Sequence, residues 1–323
     1  MQQNITQKQA VASVREKTET SGGEYVALSD ALGRVLAFDL LAPMDQPPFF
    51  QSFIEGYALR AMDVLGASGK KPVRLTVVDD SLPGASLCEG IESGQAVRVF
   101  PGSALPPGAD CVIGREEVQE ENGGIIVSRS LRALENCPAP GSLSRTGQVL
   151  LPAGTVIDGS AVARISGAGL TRIIAKRLPR VFLISIGDHL RHPNLHPLPE
   201  GKLFDSSGPM LQAKLKSLGI TCEYVRVADD AGTLSEVSFI AAEKYDLVIT
   251  TGGLLRDMDG NLPNMLERCN ARHVFYGVDG LGEGKVLFST LYRKPFLCFS
   301  GDPTVAEEQF DLLFMAMLEE MTK

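Results

Sequence analysis

Tyr245 to Asp259 reads YDLVITTGGLLRDMD, and the fold turns on how this stretch is parsed. Leu247 to Ile249 is a short unbroken apolar run that passes into Thr250, Thr251, Gly252 and Gly253. A run without polar alternation suits a strand buried on both faces of a parallel sheet. The glycine pair lets the backbone turn sharply and approach a ligand closely. Carboxylates follow at Asp257 and Asp259.

The same grammar recurs on either side. VFLIS (181–185) is a strand that leads into Ser185-Ile186-Gly187-Asp188, and PFLCFS (295–300) leads into Ser300-Gly301-Asp302-Pro303. TCEYVRV (221–227) is a further strand, and HVFYGV with KVLFSTLY reads as a hairpin. Helices are predicted over 205–219, with Asp205 or Ser206 as N-cap and Gly219 as stop, over 231–244, over 261–269, and from Thr304 to Met321. This alternation predicts an α/β domain with a doubly wound, mostly parallel sheet. Its three glycine-bearing loops then share the edge where ligands bind such sheets.

Free amides at the helix starts favour anions. The backbone of Gly187, Thr251, Gly252, Gly253, Ser300, Gly301 and Pro303 is the candidate binding surface. Asp188, Asp257 and Asp259 could hold a hard divalent cation between protein and phosphate. Any one of these loops could be no more than a tight turn with an aspartate cap; three at one edge point to a site. His192 and His196 fall in the proline-rich RHPNLHP and read as a solvated loop. Ser52 and Ser144 have no base visible in the sequence, so no nucleophilic triad is assigned.

Towards the N-terminus the pattern changes. Residues 4–19 read as an amphipathic helix with Thr6 and Gln9 as a capping box. Pro47-Pro48 stiffens PMDQPPFFQSFIEGY (43–57), which reads as a crossing between domains or a functional loop. Residues 58–132 are strand-like runs broken by glycine and proline, as in a small barrel or sandwich. Residues 133–176 continue with β character, a turn at Pro152-Ala153-Gly154 and a short helix near Asp158.

The chain has 323 residues and a net charge of -8, which argues against a general nucleic-acid binder. Six cysteines form no C-x-x-C pair, so a reduced cytoplasmic interior is the simplest home. MQQNITQKQA lacks a signal peptide's apolar core, and no apolar run is long enough to span a bilayer, so no membrane association is expected.

Taken together, ALGRVLAFDLLAPMDQPPF, EGYALRAMD, PGSALPPGADCVI, GQVLLPAGTVI, LPRVFLISIGD, DLVITTGG and GDPTV resemble, in this order, the molybdopterin molybdenumtransferase family of the MoeA and gephyrin E-domain type. The resemblance implies an elongated N-terminal domain from 1–45 and 133–176, an inserted β domain over 46–132, and a molybdopterin-binding-like α/β domain over 177–323. It implies a homodimer whose active site lies between one subunit's α/β domain and the partner's N-terminal segments, with other proteins of the cofactor pathway as further partners. It implies insertion of molybdate into adenylylated molybdopterin, with release of AMP and a divalent cation, Mg2+. Glu55 is then expected to reach across the dimer as a catalytic group beside Asp188 and Asp257. The family's further C-terminal β domain is expected to be absent after Lys323.

Several positions depart from the family pattern. Asp-Gly-Tyr-Ala is Glu55-Gly56-Tyr57-Ala58, Thr-Gly-Ala is Pro101-Gly102-Ser103, and Gly-Glu-Asp is Gly141-Ser142-Leu143. Gly-Asp-Glu-Leu is Gly187-Asp188-His189-Leu190, and a Lys-Pro-Gly-Lys-Pro anion grip is Leu281-Gly282-Glu283-Gly284-Lys285. Loss of a lysine beside a new glutamate weakens attraction for anions, and loss of carboxylates removes proton acceptors and metal ligands. Two readings follow: an active transferase with a rearranged site, or a non-catalytic relative that binds a pterin, a nucleotide or a partner protein.

Overall fold

The computed structural model describes residues 1–85, 89–254, 260–281 and 285–323. The chain forms two compact units. One holds Met1–Phe38, Ala153–Gly159 and Arg172–Lys323; the other holds Asp39–Pro152 and Ser160–Thr171.

The first unit is built on a seven-stranded sheet. Its strands are β1 (Gln2–Ile5), β2 (Val181–Ile186), β3 (Cys222–Val227), β4 (Leu247–Thr251), β5 (Arg272–Val278), β6 (Leu287–Leu291) and β7 (Lys294–Phe299). Their spatial order is β1-β5-β6-β7-β4-β2-β3. β4 lies parallel to β2 on one side and to β7 on the other, with Val181 opposite Leu247 and Val248 opposite Phe296. β5 and β6 form the expected hairpin, so the mostly parallel sheet carries one antiparallel strand, β6.

The helices are α1 (Gln7–Glu16), α2 (Ser207–Ser217), α3 (Ala231–Lys244), α4 (Asn261–Arg268), α5 (Pro303–Gln309) and α6 (Met315–Met321), the last two joined by a π-helical turn over Phe310–Phe314. They cover both faces of the sheet. Leu247 and Ile249 pack in one core with residues of α1, α2 and α6, while Val248, between them, packs in the other with residues of α3 and α4. Two buried faces are why β4 reads as a continuous apolar run.

The capping box forms as expected: the Gln9 amide donates to Thr6 Oγ1 at 3.3 Å, and the Thr6 amide donates to Gln9 Oε1 at 3.0 Å. The helix is shorter than 4–19 because Gln2–Ile5 pairs in parallel with β5 instead. That pairing ties the first residues to the α/β unit. Strand Gly23–Ala27 pairs with Arg172–Lys176 in the same unit, so the two-unit division cuts the chain differently from the expected boundaries at 45, 132 and 176.

The second unit carries a six-stranded sheet in the order Cys111–Gly114, Gly56–Leu59, Gln95–Val99, Val73–Ser81, Gly124–Val127, Val118–Glu121. The two outermost strands are joined in sequence by only Arg115–Glu117. Four steps, from Gly114 to Val118, span about 14 Å at most, so these two edges approach one another, in keeping with the small barrel or sandwich expected over 58–132. Among the described residues, no helix is long and apolar enough to cross a membrane.

Candidate functional site

The carboxyl ends of β2, β4 and β7 meet at one cavity of about 640 Å³ in the α/β unit. Gly187, Asp188, Thr251, Gly252, Gly253, Gly301 and Pro303 all line it. Ser300 is buried just behind the wall, where its carbonyl accepts a hydrogen bond from Thr251 Oγ1 at 2.7 Å. The three loops that the sequence singles out therefore border one cavity.

The loops are held by backbone and by short side chains. The Gly252 amide donates to the Phe299 carbonyl at 3.2 Å, and the Gly187 amide to the Val227 carbonyl at 3.1 Å. Ser207 Oγ donates to the Gly301 carbonyl at 2.8 Å, so this hydroxyl clamps a loop. Gln309 is fully buried; its Oε1 accepts from the Ser300 amide at 2.8 Å and its Nε2 donates to the Lys285 carbonyl at 3.1 Å. Asp302 caps α5 through the Thr304 and Val305 amides at 2.9 and 3.1 Å. Two helices, α2 and α5, thus begin at the cavity wall, and their dipoles favour negative charge there.

The wall has further members that the sequence reading did not select: Lys202, Leu203, Phe204, Asp205 and Asp229. Leu203–Phe204 pairs in parallel with Leu190–Arg191, which brings the end of the proline-rich loop back over the site. Two-residue strands leave no periodic signal. Asp229 could have been found, because it follows the fourth parallel strand, β3, at the same edge. Asp205 is buried and accepts from the Gly208 amide at 3.1 Å and from the Tyr224 hydroxyl, with Arg226 4.0 Å away. Burial, then the bond to Asp205, pushes the Tyr224 phenol's pKa up. The N-cap of α2 is Ser206, with Asp205 bracing the turn from inside.

With Asp205 and Asp302 committed to these structural bonds, Asp188 and Asp229 stand on the wall with the ammonium of Lys202, which donates to the Asp188 carbonyl at 3.2 Å. Asp229 Oδ1 is buried without a hydrogen-bond partner. Leu190, Leu203, Phe204 and Leu254 supply an apolar side suited to a flat ring. Among the described residues, no three His, Cys, Asp or Glu side chains are grouped to hold a metal. Asp257 and Asp259 lie outside the described residues, so Asp188 is the one member of the expected cation set that the structure places.

Glu55 lies in the other unit and is already paired. Arg98 Nη2 donates to its Oε1 at 2.8 Å and Arg115 Nη1 at 3.2 Å. The bond from Arg98 is the first cause holding this carboxyl below its ordinary pKa. Arg115 also reaches Glu120 at 2.9 Å, and Glu120 accepts from the Tyr57 hydroxyl at 2.7 Å. Leu281, read from sequence as a lost cation, is buried in the core with Val278 and Val286 rather than lining the cavity. Leu143 is 70% exposed.

Comparison with known proteins follows the same lines. Residues 5–169 match the family pattern described as "MoeA N-terminal region (domain I and II)", and residues 182–320 match "Probable molybdopterin binding domain". The chain is 31% identical over 308 residues to a molybdopterin molybdenumtransferase of Staphylococcus epidermidis, covering 92% of this chain and 73% of that protein. A Staphylococcus aureus protein of the same name is 32% identical with the same coverage. The crystal structure of a molybdopterin biosynthesis MoeA protein from Pyrococcus horikoshii superposes with a TM-score of 0.82 at 26% identity, over 99% of this chain and 79% of that one.

Proposed function

The chain belongs to the molybdopterin molybdenumtransferase family of the MoeA type, and on that footing we propose that it inserts molybdate into adenylylated molybdopterin, with release of AMP, in molybdenum cofactor biosynthesis. The observation that carries this reading is the single cavity at which the Gly187, Gly252-Gly253 and Gly301 loops meet. The backbone at Gly253 and Gly301, whose neighbours Gly187 and Gly252 already bond within the protein, receives the phosphates, and the side of Leu190, Leu203 and Phe204 receives the pterin.

The chain's own part is to bind and orient. Holding two reactants in register removes much of the entropic barrier to their meeting. The described residues do not furnish a ligand set for Mg2+, so no step is assigned to that ion. Asp188 is the described carboxylate that would face it. The working unit is taken to be a homodimer in which Glu55 of one protomer serves the cavity of the other. This rests on the match of Glu55-Gly56-Tyr57-Ala58 to the family motif, and it requires Glu55 to exchange at least one arginine for ligand.

Purified protein incubated with adenylylated molybdopterin and molybdate is expected to release AMP only when molybdate is present. Binding of the adenylylated pterin without AMP release under any divalent cation would reject turnover and leave a ligand-binding relative.

A further inference from the structure

A second hollow, of about 390 Å³, lies at the opposite edge of the same sheet, where its strands begin. It is walled by the turn after α1, the approaches to β2 and β4, the β6–β7 hairpin and the end of α6. Its electrostatics differ from those of the first cavity. Arg177, Arg180 and Lys294 converge on one carboxylate, Asp246, at 2.7, 3.5 and 3.9 Å. Burial alone would raise the pKa of Asp246, but the bonds from Arg177 and from the Arg180 amide outweigh it and hold the group at about 2. Of these cations Arg177 and Lys294 line the hollow and Arg180 does not, so one carboxylate stands there against two cations, a local positive excess in a protein of net charge -8.

The other charged groups of the wall pair off. Lys17 meets Glu16 at 2.7 Å, and Arg293 meets Glu19 at 2.8 Å. Arg293 and Glu19 are both largely exposed, and a pair of that kind contributes little and opens easily.

A second observation is independent of charge. Ser21 Oγ is buried and has no hydrogen-bond partner. Its position is fixed, because its amide donates to the Met321 carbonyl at 2.7 Å and the next residue, Gly22, accepts from the Arg177 amide at 2.8 Å. Ser21 therefore stands beside Arg177 on the same wall. A buried hydroxyl left without a partner is costly, and a turn about its χ1 towards the hollow would let a ligand oxygen satisfy it.

We propose that this hollow binds a tetrahedral oxyanion, of the class of phosphate, sulfate and molybdate, between the guanidinium of Arg177, the ammonium of Lys294 and the hydroxyl of Ser21. An oxyanion suits the positive excess, and its several oxygens accept from a guanidinium fork, an ammonium and a hydroxyl at once. Lys294 is available because 3.9 Å from Asp246 is beyond hydrogen-bond distance. The site is separate from the glycine-loop cavity and does not depend on the reaction proposed there.

The test is calorimetric titration of the full chain with inorganic phosphate and, in a second arm, with molybdate, for wild type, Lys294→Ala and Ser21→Ala. Ser21→Ala removes a hydroxyl that bonds nothing in the free protein, so it should leave the fold intact. Each variant should bind about tenfold more weakly, the equivalent of one charge-assisted bond or one satisfied buried hydroxyl. Bound anion should slow amide hydrogen exchange over 18–22 and 292–295. Heat from either anion alone would identify its source, phosphate or molybdate, and would support the site. Variants that bind both anions as wild type does, or slowed exchange confined to 251–254 and 300–303, would overturn it.

Discussion

Gly252 sits against the carbonyl oxygen of Ile186 so closely that a β-carbon at position 252 would collide with it. Ile186 ends β2 and Gly252 follows β4, so one missing methyl group lets two neighbouring strand ends close into a wall made of backbone. Gly252 also has φ +84°, a region that costs other residues energy. Gly252→Ala is expected to destabilise the fold by roughly 1–3 kcal/mol and to weaken binding of adenylylated molybdopterin. Urea unfolding and calorimetry check the two parts.

Gln309 joins two segments through one carboxamide, holding the Ser300 amide and the Lys285 carbonyl. Gln309→Leu leaves the buried Ser300 amide and the part-buried Lys285 carbonyl without this partner, at a cost of about 2 kcal/mol. Gln309→Glu keeps the acceptor for Ser300 but sets a buried carboxylate against the Lys285 carbonyl, so its melting temperature should also fall below that of wild type. Equal melting temperatures for all three would show that the carboxamide does not tie the loop.

His273 supplies a pH dependence. Burial, its first cause, lowers its pKa below the ordinary 6.5, while Nδ1 meets Ser289 Oγ at 2.7 Å and Nε2 is buried without a partner. A histidine whose folded pKa is depressed contributes stability that is present above the unfolded pKa. That contribution is lost as pH falls through 6.5 towards and past the folded value. Unfolding free energy measured from pH 8 to pH 5 should therefore drop more steeply in wild type than in His273→Gln.

Asp188 lines the cavity. In EDTA it can only repel a phosphate, so Asp188→Asn should bind AMP several-fold more tightly than wild type. Unchanged affinity would mean that its carboxylate points away from the ligand.

Much of the α/β unit is legible in the sequence because its central strands are buried on both faces. VFLIS, DLVITT and PFLCFS announce themselves as apolar runs, and the glycines after them mark the edge that carries the cavity. β1 is not legible, since QQNI is polar and is held as an edge strand by its backbone pairing with β5. Lys202, Phe204 and Asp229 escape for a similar reason: tertiary pairing and strand order, rather than local pattern, bring them to the wall. Leu281 misleads in the opposite direction. Set against a lysine of the family pattern it looks like lost charge, but its side chain is core. Glu55 has the expected charge, yet nothing in the sequence announces Arg98 and Arg115 as its partners.

Amide hydrogen exchange with and without adenylylated molybdopterin tests the central claim most directly. The three strand-end loops line one cavity, so, if it is the ligand's site, exchange at 186–189, 251–254 and 300–303 should slow together and with the same dependence on ligand concentration. Slowing at one loop alone, or at none of them while ligand binds elsewhere, would contradict it.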